Sequence, residues 1–121
     1  MRYLMIYRPA DGSGESDAPP TEEEQAAMGA FIGEIAAAGY LVTADGLRPS
    51  KYGARVRQQD GKVVVVDGPF TETKELIAGY AIVEVPSKEV AIDIAKRFLA
   101  VAGDGESEVR LMHDVAAFAE G

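Results

Sequence analysis

Apolar positions along the chain follow two periods, and the switches between them mark the elements. Tyr3 to Tyr7 is an unbroken aromatic and aliphatic run with arginines at both ends, which predicts a β-strand. Both faces of that run are apolar, so the strand is expected to be central and covered on two sides. Pro9 to Pro20 is rich in Gly, Ser, Asp and Pro and reads as the longest and most mobile loop. Thr21-Glu22-Glu23-Glu24 then opens a helix with a capping box, and its acids suit the helix dipole. Met28, Phe31, Ile32 and Ile35 recur at helical spacing, and Gly39 is the expected stop.

Tyr40 to Ala44 predicts a second strand. Ala54 to Gln58 and Lys62 to Val66 flank Gln59-Asp60-Gly61 and predict a β-hairpin, because Asp-Gly supplies the turn. Ile77 to Val85 predicts a further strand, with Gly79, Ala81, Val83 and Val85 on one face and Tyr80, Ile82 and Glu84 on the other. Ser87 caps a second helix whose stripe is Ala91, Ile94, Ala95, Phe98 and Ala102. Gly103 and Gly105 end that helix, Glu108 to His113 forms the last strand, and a short helical turn follows Asp114.

With the hairpin set aside, the order is β-α-β-β-α-β, the α+β ferredoxin-like split βαβ sandwich with an inserted hairpin. Two helices cover one face of its sheet. The other face is expected to carry Tyr80, Ile82, Glu84, Glu108, Arg110 and Met112, together with Tyr3, Met5 and Tyr7. So apolar a face calls for cover, and a homodimer with two sheets face to face is the expected solution.

Composition narrows the function. The chain has 121 residues, one domain (1–121), and 47% of them are hydrophobic, as in a globular protein. Its net charge of -8 argues against nucleic acid and anionic membranes, which need clustered cations. The absence of cysteine excludes disulfides, thiolate nucleophiles and Cys-ligated metals. With a single histidine, a metal centre is not expected, nor is any cofactor motif present. The apolar start is too short for a signal peptide, and no run approaches the roughly 18 apolar residues of a membrane span, so a cytoplasmic protein is expected.

Asp67-Gly68-Pro69-Phe70-Thr71-Glu72-Thr73-Lys74-Glu75-Leu76-Ile77-Ala78-Gly79-Tyr80 resembles the signature of DGPF-domain, YCII-related proteins. Ala38-Gly39, Gly46-Leu47 with Pro49, and Glu108-Val109-Arg110 agree with that pattern, so the resemblance runs from Tyr3 to about Met112. It implies a ferredoxin-like fold that dimerises as an α+β barrel. It also implies a largely uncharacterised group, many of whose members are encoded beside extracytoplasmic-function sigma factors, which makes a sigma factor a candidate partner. Related YCII proteins carry a His/Asp pair proposed as a catalytic centre, and one group eliminates chloride from a chlorinated aromatic. Ala26, Ala27 and Met28 stand where that histidine would fall, and the one histidine here is His113.

Two regions carry candidate chemistry. In the loop, Asp67 is the candidate catalytic base, with Phe70, Lys74 and Glu75 as ligand-binding residues and Lys74 fixing an anion. The competing structural role has Asp67 capping a turn, Gly68 and Pro69 shaping it, and Phe70 plugging the core. On the sheet face, Tyr7, Tyr80, Glu84 and Arg110 form either a dimer interface with an Arg–carboxylate pair or a cleft for a small anionic or aromatic metabolite. His113 is read as a strand-end packing residue rather than a proton shuttle. An acidic accessory protein acting through contact with a basic partner is the alternative to a lyase-like or binding site.

Overall fold

In the computed structural model, residues 1–11, 13–72 and 75–114 are described. The helical turn expected after Asp114, and Lys74, lie outside them. The central strand is β1 (Arg2–Pro9), followed by α1 (Glu22–Ala37), β2 (Leu41–Gly46), β3 (Ala54–Gln59), β4 (Lys62–Asp67), β5 (Gly79–Glu84), α2 (Lys88–Ala102) and β6 (Gly105–Leu111). Single 3₁₀ turns occur at Ser13–Glu15 and Ser50–Tyr52. The main sheet has the order β2-β5-β1-β6, antiparallel at each pairing, while β3 and β4 pair only with each other. This is the ferredoxin-like α+β arrangement with a separate hairpin.

The helix ends follow their caps. Thr21 Oγ1 accepts from the Glu24 N–H at 3.1 Å, and Ser87 Oγ from the Val90 N–H at 3.3 Å. Only half of the capping box forms, since the return bond from Glu24 is not made. At the far end of α1, Gly39 takes a φ of 81°, and the Tyr40 N–H reaches back to the Ile35 carbonyl at 3.1 Å. That 6→1 bond closes the helix and needs the left-handed residue that glycine supplies. In the hairpin, Asp60 (φ 52°) and Gly61 (φ 78°) form the two-residue turn that matches strand twist.

Phe31 and Ile35 of α1 and Ala91, Ile94 and Ala95 of α2 are buried against Tyr3, Met5, Val83 and Val85 of the sheet. Here the structure overturns an expectation: Tyr3, Met5 and Tyr7 face the helices, not the open side. Alternation dictates only that the three share a face; their partners decide which. Tyr3 lies opposite Val83, Met5 opposite Ala81 and Tyr7 opposite Gly79. Those small residues leave room for the Tyr7 ring, which packs edge-on against Phe98 with centroids 5.0 Å apart. The remaining residues of β1, Arg2, Leu4, Ile6 and Arg8, turn to the open face, where the arginines find acids.

The last strand begins at Gly105 rather than Glu108 and ends before His113. Gly105 pairs with Pro9, and a Cβ there would meet the Arg8 carbonyl oxygen at 2.5 Å, so glycine lets the two backbones close up. The long loop after β1 is tied down. Glu15 accepts from both the N–H and the hydroxyl of Ser50, and Asp17 pairs with Lys51 and accepts from the Tyr52 hydroxyl.

Candidate functional site

The open face of the sheet is a partly exposed aliphatic strip bordered by ordered charge. Leu4, Ile6 and Ile82 form the strip, with Ile82 opposite Leu4 and Tyr80 opposite Ile6. On one side, Glu108 accepts from Arg8 at 2.9 Å and from Arg110 at 3.0 Å, using one carboxylate oxygen for each. These bonds, first from Arg110 and then from Arg8, hold the Glu108 carboxyl below the usual carboxylate range. Arg8 is the more sheltered cation, and Arg110 keeps most of its donors in water. Across the strip, the Tyr80 hydroxyl donates to Asp45 at 3.2 Å, and Thr43 donates to the same oxygen at 3.1 Å. The bond to Asp45 pushes the Tyr80 hydroxyl up and takes up its one O–H. At the strand ends, Arg2 pairs with Glu84 at 3.0 Å.

The loop from Asp67 to Glu75 is built around Ser50. The Phe70 N–H donates to Ser50 Oγ at 2.9 Å, while Gly68 donates to the Gly53 carbonyl at 3.0 Å. Glu15 holds Ser50 from the other side. A Cβ on Gly68 would lie 1.8 Å from the Ser50 carbonyl oxygen, so no other residue fits without moving the backbone. Phe70 does not plug the core. It is half-buried, with the Arg55 guanidinium 3.9 Å above its ring, and Leu76 is the buried residue of the segment. Arg55 also lies 3.6 Å from Glu75.

The sequence-derived candidates therefore divide. Tyr80, Glu84 and Arg110 share the open face, with Arg110 paired to Glu108. Phe70 and Glu75 meet through Arg55. Asp67 is exposed at the end of β4, opposite Ala54, with no side-chain partner among the described residues. Tyr7 joins neither group: its hydroxyl points to the carbonyls of Gly103 and Asp104, and burial is the first cause that raises its pKa. His113 lies past the end of β6 and is exposed. Sequence reasoning missed Arg8, Asp45, Arg55, Glu15 and Ser50. For Arg8 a signal existed, because it shares a face with Leu4 and Ile6 at period two. Glu15 and Ser50 are 35 residues apart and carry no local signal.

A family model described as the YCII-related domain matches residues 1–113. The chain belongs to the YCII-related family. An uncharacterised protein of Rhizobium meliloti (strain 1021) is 37% identical to this YCII-related chain over 59 residues, 49% of the chain and 48% of that protein. The alignment thus spans about half the length of this curated relative. Among solved structures, 5-chloro-2-hydroxyhydroquinone dehydrochlorinase from Burkholderia phenoliruptrix AC1100, in complex with 2,5-dihydroxybenzoquinone, superposes with a TM-score of 0.50 at 16% identity. The superposition covers 96% of the YCII-related chain and 98% of the dehydrochlorinase, and it shows a common fold. Among the described residues, no helix is long and apolar enough to cross a membrane.

Proposed function

We propose that two copies of this YCII-related chain pack sheet to sheet, and that the cleft between them binds a small anionic or aromatic metabolite for a lyase-like reaction. One observation carries the proposal. The aliphatic strip of Leu4, Ile6 and Ile82 is open, and its borders already hold charged and donor groups in fixed positions. An apolar floor with a few convergent polar groups is what a small planar ligand needs. Arg110, exposed and anchored by one nitrogen to Glu108, has donors left for a carboxylate or phenolate. Across the strip, Tyr80 gives its one O–H to Asp45 and offers the ligand its ring face and an acceptor oxygen. Elimination also requires a proton acceptor. Asp67 fills that role in this scheme, with cover by the second copy supplying the desolvation that makes a carboxylate a useful base. The fold neighbour holds 2,5-dihydroxybenzoquinone, a small planar ligand, which favours this class over a macromolecular partner.

The test uses 2,5-dihydroxybenzoquinone as probe. Wild-type protein is expected to melt higher in its presence, and Arg110→Ala to weaken binding by about tenfold, as loss of a charged hydrogen bond does. The dimer should persist in that variant. No shift with this probe or with a panel of phenolic and carboxylate metabolites would remove the ligand cleft. Capture of a sigma factor instead would favour the accessory role.

A further inference from the structure

Among the described elements, the β3–β4 hairpin is the least covered. It pairs with no strand of the main sheet and is held at its base through Gly53, Gly68 and Arg55. A lone two-stranded ribbon is at best marginally stable in water. Register sorts its side chains into two faces. Val56 lies opposite Val65 and Gln58 opposite Val63, which makes one face apolar. Val56, Val63 and Val65 are 67%, 62% and 60% exposed. Arg57 lies opposite Val64 and Gln59 opposite Lys62, and the other face is a groove of about 370 Å³ that Arg57 and Lys62 share with Asp60, Val64 and Val66.

We propose that this hairpin is an arm that docks on a second copy of the chain, burying Val56, Val63 and Val65 there while Arg57 and Lys62 meet that copy's acidic surface. Charge selects the occupant. Residues 54–67 carry Arg55, Arg57 and Lys62 against Asp60 and Asp67, a net +1, in a chain whose net charge is -8. The rest of each copy therefore carries -9, the sign that attracts the arm. Neither Arg57 nor Lys62 has an acidic partner among the described residues of its own chain. A two-fold exchange of arms covers both ribbons at once and closes the assembly. The inference rests on the dimer proposed above and adds to it a second contact, outside the sheet face.

Two measurements test the arm. Carbodiimide coupling of a mixture of light and ¹⁵N-labelled chains is expected to join Lys62 of one isotope to carboxylates of the other. In sedimentation velocity, V63E/V65E is expected to weaken the dimer by about tenfold or more, as loss of central apolar contacts does. Its far-UV circular dichroism should not change, because both side chains are already exposed. Coupling of Lys62 only within one chain would overturn the arm, as would a monomeric wild type. Ile6→Lys, on the open sheet face, separates the two contacts. A dimer weakened by Ile6→Lys but indifferent to V63E/V65E removes the arm and leaves the sheet pairing. The reverse upholds the arm and removes the sheet pairing.

Discussion

Gly68→Ala is expected to destabilise the protein by about 3 kcal/mol or more, read as a fall in the urea midpoint. The methyl would sit 1.8 Å from the Ser50 carbonyl oxygen and 2.5 Å from its carbon, so the obstacle is backbone and cannot rotate away. Moving it would break linked contacts. Ser50 is held by Glu15 through two bonds, accepts from the Phe70 N–H, and lies beside the Gly68–Gly53 bond. Gly29→Ala is the control. Gly29 lies within α1 with nothing within 4 Å of an added Cβ, so this change should stabilise by about 0.5–1 kcal/mol through helix propensity and chain entropy. A Gly68→Ala midpoint equal to wild type would contradict the close approach of the two loops.

Phe31→Ala is expected to cost about 3–5 kcal/mol, the range for removing a buried aromatic ring. Phe31 is 7% exposed and anchors α1 to α2 through Phe98, whose ring centroid is 6.3 Å away. Phe98 in turn meets Tyr7 on the sheet, so one ring chain joins both helices to β1. The Arg97 guanidinium lies 5.5 Å from the Phe31 ring and would lose that partner as well. Equilibrium unfolding in urea checks the value. A loss below about 1 kcal/mol would mean that the cavity collapses or that the helix contact is weak.

Much of the fold was legible because its signals are local. The stripes of Phe31 and Ile35 and of Ala91, Ile94 and Ala95, the caps Thr21 and Ser87, the stop at Gly39 and the Asp60-Gly61 turn all declare themselves within a few residues. The face of β1 was not legible. Period two groups Tyr3, Met5 and Tyr7 but is silent about which layer they meet, and only pairing with Val83, Ala81 and Gly79 decides it. The start of β6 was missed for a related reason. Gly105 reads as a breaker until its close pairing with Pro9 is seen. Of the candidate site, Tyr80, Glu84 and Arg110 were placed on the open face by alternation alone. Asp45, the partner of Tyr80, and Arg2, the partner of Glu84, come from other strands, as does Arg8, which shares Glu108 with Arg110, so the contacts that order the face depend on register.

The loop around Asp67 illustrates the same limit. Turn chemistry at Gly68 and Pro69 was readable, but the reason for glycine is Ser50, and Ser50 is fixed by Glu15 from a distant loop. Phe70 looked like a core residue by type. It instead supports Arg55 at the base of the hairpin, which ties the loop to the proposed arm.

The most direct test is native mass spectrometry of the protein recovered gently from cells that make it. The expected result is a dimer carrying a reproducible small-molecule mass, lost or diminished in Arg110→Ala. A monomer, or a dimer that never carries a ligand, would contradict the cleft on the open sheet face.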